Sequence, residues 1–316
     1  MEQDPSHEVN IPDCPTNKLK RIRKKIPSSI MNAFLERRID TKTAIRLLEK
    51  CPPKGILWAG ELAVQEAFKE TDSNKADIYF SQAQRLFFNA EHNPQPANSG
   101  KFNATMARAR IHYAYMPVHR EVYQGNLPGK ALAESVYWQT LDVGEALSNS
   151  YFSHQPDIDP HAREDMIGTL GEVAVLAPLQ RFSIYGIDEK RPPIGSDTWF
   201  AFLSHISEDF HNSPHSALNY AWDVSVLAKP ADQITLDYRI QVKTTDFRIA
   251  NFKPNDEGII LVCVDPDLRL PDDRQYICAT VIKECLAVRD NPNGFSRSRT
   301  NLNQRTEKLL DDKLDF

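Results

Sequence analysis

Four side chains in the second half of the chain combine two carboxylates, an amide and a lysine: Glu172, Asp223, Gln241 and Lys243. Glu172 lies among Leu170, Val173, Ala174, Val175, Leu176 and Ala177, a stretch apolar nearly all round. Such a stretch signals a helix buried against a sheet. A carboxylate there is costly unless a cation or metal partners it. Gly168 and Gly171 beside it also leave a notch through which it could reach solvent.

Asp223 and Gln241 are placed by alternation. Leu218, Tyr220, Trp222, Val224 and Val226 are apolar, while Asn219, Asp223 and Ser225 point the other way. After a turn at Lys229-Pro-Ala-Asp232 comes a returning strand, Ile234 to Thr245. Tyr238, Ile240 and Val242 form one of its faces; Arg239, Gln241, Lys243 and Thr245 form the other. Period-two patterning in both arms predicts a hairpin. Centred on about residue 232, it sets Asp223 opposite Gln241, with Lys243 two residues further along that face. A polar face can also simply be solvated, but the buried Glu172 upstream weighs against that.

A Glu on a helix, an Asp in a strand and a (Asp/Glu/Gln)-x-Lys in the next strand together resemble the PD-(D/E)XK phosphodiesterase superfamily. Ile240-Gln241-Val242-Lys243-Thr244 is similar to the Gln-x-Lys variant of Mrr-like restriction endonucleases. The resemblance covers roughly residues 160–285. It departs from the Mrr-like pattern where Asp-Gly-x-Asp is usual and this chain has Ala-Trp-Asp-Val-Ser, and in a long stretch from Phe182 to Asn219.

The resemblance implies a restriction-endonuclease-like α/β core with a mixed central sheet, and Glu172, Asp223, Gln241 and Lys243 as catalytic residues. Phosphodiester hydrolysis needs an activated water and neutralisation of charge on the phosphorane, and a divalent metal does both. Mg2+ (or Mn2+) takes one or two carboxylates plus water and phosphate oxygens, which Asp223 and Glu172 suit. By resemblance, Gln241 adds its side-chain oxygen and Val242 its backbone carbonyl. Lys243 then orients the attacking water or stabilises the phosphate charge. Glutamine in place of a carboxylate removes one negative charge, which predicts weaker metal binding than in a Glu-x-Lys enzyme.

The elements that must position these residues divide the text in two. A chain of 316 residues suits about two domains of roughly 100–200 residues each. Residues 1–26 are expected as a disordered basic tail, 27–153 as an all-α helical array and 154–290 as the nuclease-like domain. Residues 291–316 are expected as a C-terminal tail, giving an α+β protein overall. Ser28-Ser29 and Asp40 or Thr41 are candidate helix caps, and periodic stretches follow at 55–70, 75–91, 101–122 and 128–149. Asp159-Pro160 is a cap and first-turn proline opening the helix that carries Glu172. Gly258 to Val264 reads as a buried strand and Tyr276 to Lys283 as another.

Other signals compete. Lys18 to Lys25 holds six cations, either a solvated extension or a phosphate contact through Lys20, Arg21, Arg23 and Lys24, with Thr244 a further candidate contact. Arg108, Arg110, His112, His119 and Arg120 mix with Tyr113 and Tyr115, which suits either nucleic acid or an ordinary helix of buried rings and exposed arginines. His205, Asp209, His211 and His215 have short spacing, but Pro214 interrupts them and a surface loop is the simpler reading. Ala83, Phe87 and Ala90 with Pro94 look a little like half a tetratricopeptide repeat, without a second copy. No Gly-x-x-x-x-Gly-Lys-[Ser/Thr] motif indicates an ATPase.

A net charge of −5 confines any phosphate-binding surface to a local patch. Five scattered cysteines without a C-x-x-C pair suit a reducing, cytoplasmic compartment. No apolar stretch approaches the roughly 20 residues of a membrane span. The expectation is a metal-dependent nuclease, DNA favoured over RNA by analogy, with a defence or restriction role suggested the same way. The helical array would bind a protein partner or substrate, and a homodimer is compatible. The alternatives are a catalytically silent nucleic-acid-binding or scaffold protein, and an RNase.

Overall fold

The computed structural model describes residues 16–92, 102–153, 158–185, 198–203, 223–229, 235–244, 259–263 and 300–301. Among these residues seven helices come first: α1 (Thr16–Leu35), α2 (Thr41–Leu48), α3 (Pro53–Lys69), α4 (Ser73–His92), α5 (Ala104–Tyr123), α6 (Lys130–Ser153) and α7 (Pro160–Tyr185). Five described strands follow: β1 (Thr198–Leu203), β2 (Val224–Lys229), β3 (Thr235–Lys243), β4 (Ile259–Cys263) and β5 (Thr300–Asn301). The protein is α+β, and no helix among the described residues is long and apolar enough to cross a membrane.

Local chemistry sets several helix starts. Asp40 caps α2, its side chain accepting from Thr43 N at 2.7 Å. Asn103 does the same for α5, accepting from Met106 N at 3.1 Å. Asp159 Oδ1 accepts from His161 N at 3.0 Å, and Pro160 opens α7 in the position where its missing N–H costs nothing.

The beginning of α1 differs from expectation. It starts at Thr16 rather than Ser28 and runs through Pro27, so the basic run belongs to a helix instead of a disordered tail. Pro27 is buried, its Cβ 3.5 Å from where a Cβ on Gly55 would stand, so packing on α3 accompanies the missing helical hydrogen bond. Lys20, Arg21, Arg23 and Lys24 lie in this helix, and their side chains fall outside the described residues.

Two hydrophobic cores organise the described residues. One joins α1 to α4 and part of α5 through Leu48, Leu62, Phe80, Leu86, Phe87 and Met116. Gly60 permits the close approach of α3 to α4, because a Cβ there would lie 2.6 Å from Phe87 Cε1. Ala83, Phe87 and Ala90, the repeat-like trio, are all fully buried in this packing. The second core unites Ala107, Ile111 and Tyr115 of α5 with Val136 and Leu147 of α6, Val173 and Leu176 of α7, and the sheet. The sequence boundary at 153–160 therefore falls inside one continuous core.

The sheet has the order β1-β2-β3-β4-β5. β1, β2 and β3 are antiparallel, and β4 adds to β3, and β5 to β4, in parallel. β2 and β3 realise the expected hairpin and β4 the expected apolar strand. β1 arises inside the long stretch after α7, and β5 inside the expected C-terminal tail; neither was anticipated. The expected turn at Lys229-Pro-Ala-Asp232, apart from Lys229, and the expected strand at Tyr276–Lys283 lie outside the described residues. So does the His205–His215 cluster.

Candidate active site

The hairpin register places the first pair of candidate residues. Val224 pairs with Ile240, Ser225 with Arg239 and Val226 with Tyr238, so the strand pairing ends one residue short of Asp223 and Gln241. Asp223 N donates to Ile240 O at 2.8 Å, carrying the ladder past the end of β2. A register shift between Val226 and Leu227 displaces the pairing only toward the turn, so it leaves the site end intact.

Asp223 and Gln241 meet through side chains. Gln241 Nε2 donates to Asp223 Oδ2, and the same oxygen accepts from Val242 N at 2.7 Å. Both residues are buried, as is Ser225 on the same arm, so this polar face is not a solvated one. A carboxylate removed from water is held here by charge-assisted hydrogen bonds. The bond also fixes the amide. Nε2 faces the carboxylate oxygen because an amide oxygen there would meet a second acceptor. The resemblance implied Gln241 Oε1 as a metal oxygen, and in this geometry the amide instead presents its nitrogen to Asp223.

Glu172 is positioned by α7, whose residues from 171 to 180 are all buried. Gly171 seats that helix on β3: a Cβ there would lie 2.5 Å from Thr244 Cγ2 and 3.5 Å from Val242 Cγ1. Further along, Gln180 Nε2 donates to Tyr115 OH at 2.7 Å and to Ala201 O at 3.2 Å, tying α7 to α5 and β1. Burial pushes the Tyr115 phenol up, so it serves as a neutral hydrogen-bonding group. Alternation along β3 directs Val242 and Gln241 to opposite faces, so α7 covers the Val242 side.

The partner of Glu172 comes from the helical half. Arg108 Nη2 of α5 forms an ion pair with Glu172 Oε1, and the two side chains are only 11% and 9% exposed. The candidate residues are thus organised as two pairs, Asp223 with Gln241 and Glu172 with Arg108. Lys243 closes β3 in register with Cys263, and its side chain lies outside the described residues. Thr244 is half-buried against the helix rather than displayed on an open surface.

Arg108 is the residue that sequence reasoning did not attach to the site. It stood among the mixed cations of α5, and its separation of 64 residues from Glu172 carries no local signature. The other members of that group serve the fold. Arg110 Nε bonds Glu91 Oε1 at 2.6 Å, and Arg120 Nε bonds Asp77 Oδ1 at 3.1 Å. His112 and His119 are buried. His112 Nε2 lies 3.3 Å from Glu61 Oε1, and its ring stacks on Phe87 with centroids 5.2 Å apart. Burial first, then the positive charge of Arg108, hold His112 down to about 3.

Among the described residues, no group of three or more His, Cys, Asp or Glu side chains could hold a metal. The expected set offers two carboxylates, Asp223 and Glu172, with the Val242 carbonyl and the Gln241 amide as neutral oxygens; α7, which carries Glu172, covers the face of β3 opposite Gln241. In kind, these hard oxygens suit Mg2+, which takes few protein ligands and completes its shell with water and phosphate. No family model matches the chain, and neither the curated proteins nor the solved structures contain a match to it.

Proposed function

We propose that the chain is a divalent-metal-dependent nuclease with a restriction-endonuclease-like core, acting on nucleic acid and on DNA in preference. The observation that carries this reading is the buried contact between Asp223 and Gln241 at the end of the β2–β3 hairpin, with Lys243 two residues on. Burying a carboxylate and an amide together at a strand end costs stability, which is the signature of a site kept for chemistry. Asp223 and Glu172 would hold Mg2+ or Mn2+, which supplies an activated water and charge neutralisation on the phosphate. Lys243 would orient that water, and the helical half would engage a protein partner or substrate.

The test is cleavage of plasmid DNA, linear duplex, single strands and RNA by the full chain with Mg2+ or Mn2+. Asp223→Ala and Lys243→Ala should each lower the rate by about a hundredfold or more. RNA cleavage with intact DNA would make the enzyme an RNase. Cleavage indifferent to both changes would overturn the site.

A second reading has its own support. Glu172 Oε1 pairs with Arg108, and Asp223 Oδ2 accepts from both Gln241 and Val242, so one oxygen of each carboxylate is already engaged within the fold. That favours a catalytically silent nucleic-acid-binding or scaffold protein, for which every substrate stays uncut.

A further inference from the structure

Arg108 crosses from the helical half to reach Glu172, and both side chains are nearly out of water. A carboxylate so placed needs a positive partner, and the guanidinium supplies it. A divalent cation on Glu172 would need the same position. Guanidinium and dication cannot both rest against one carboxylate in a weakly screened interior without strong repulsion. Asp223 is held in a parallel manner, by N–H donors that a cation would have to displace from its oxygen.

We propose that Arg108 is the built-in counter-ion of Glu172 and that a divalent cation displaces it, freeing the guanidinium for a nucleic-acid phosphate. This rests on the metal-dependent reading above and assigns its regulation to α5, outside the strand–helix set that carries the candidate site. Two features suit the role. Arginine keeps its charge once displaced and offers a planar fork matched to phosphate oxygens. Next on the same helix face stands His112, held neutral within the core, so it adds no charge beside Arg108. Coupling of this kind is reciprocal: what the cation does to Arg108, Arg108 does to the affinity for the cation.

The experiment measures Mn2+ binding to the full chain by electron paramagnetic resonance. Wild type is compared with Arg108→Gln, Arg108→Lys and Glu172→Gln. Arg108→Gln should bind Mn2+ about tenfold or more tightly, because the competing charge is gone. Arg108→Lys should stay near wild type, and Glu172→Gln should bind more weakly. A merely structural arginine would lower the melting temperature without tightening Mn2+. Unchanged or weaker Mn2+ binding in Arg108→Gln overturns the proposal and leaves the nuclease reading standing. Absence of Mn2+ binding in every form, wild type included, overturns both. Should Arg108→Gln fail to fold, the wild-type Arg108 Nε–H resonance decides. It should shift in step with Mg2+ occupancy, and an unmoved signal at saturation overturns the exchange.

Discussion

Gln241 Nε2 donates its proton to Asp223 Oδ2 inside the sheet, beside the 2.7 Å bond that the same oxygen accepts from Val242 N. The amide therefore does two jobs that a carboxylate at this position could not. It supplies a donor to a buried acid, and it keeps the site from holding adjacent negative charges.

Gln241→Glu follows from this contact. The new side chain faces Asp223 as a second acceptor, and loss of the donor should destabilise the metal-free protein by about 1–3 kcal/mol. A dication between the two carboxylates should recover that loss, so the deficit should vanish on adding Mg2+. Thermal melting with and without Mg2+ checks both halves. A variant as stable as wild type without metal would show that the hydrogen bond carries no weight.

Gly171→Ala tests the seating of α7 on β3. Alanine gains about 1 kcal/mol of helix propensity over glycine. The added methyl, however, meets Thr244 Cγ2 at 2.5 Å, a stiff β-branched group that cannot rotate away freely. Overpacking of this kind costs about 1–3 kcal/mol and should win. Thr244→Ser removes that Cγ2, so the double variant should regain the loss. Urea unfolding of the two single variants and the pair gives the coupling, and purely additive effects would refute the contact.

His112 makes stability depend on pH. Its imidazole is held at about 3 in the fold against an ordinary 6.5. Above 6.5 both states are neutral and nothing changes. Below it the unfolded chain takes up a proton that the fold refuses, so stability falls by about 1.4 kcal/mol per pH unit toward pH 3. His112→Gln should flatten that slope by one proton between about pH 6 and pH 4 in urea melts. Equal slopes in both proteins would mean that His112 charges within the fold.

Much of this architecture is written in short-range patterns. Asp40 and the Asp159-Pro160 pair mark helix starts because capping needs only an acceptor and its next three residues. The facing of Asp223 and Gln241 follows from period-two alternation counted back from a turn, and the shift at Val226/Leu227 does not reach them. Beyond the range of those patterns the sequence is silent. α1 extends to Thr16, and Pro27 within it is buried against α3, a neighbour that no helix signal names. β1 takes its place by pairing with β2, since an edge segment of six residues has little pattern of its own.

By itself, then, the sequence determined the identity of the polar residues, the helices and hairpin that carry them, and their spacing along each element. Tertiary structure alone decided the pairing of Glu172 with Arg108. Arg108 and Glu172 meet because α5 and α7 bury apolar faces in one core that also takes in the sheet. Which ion pairs close across such a core depends on packing between distant elements, and side-chain periodicity within a helix holds no record of it.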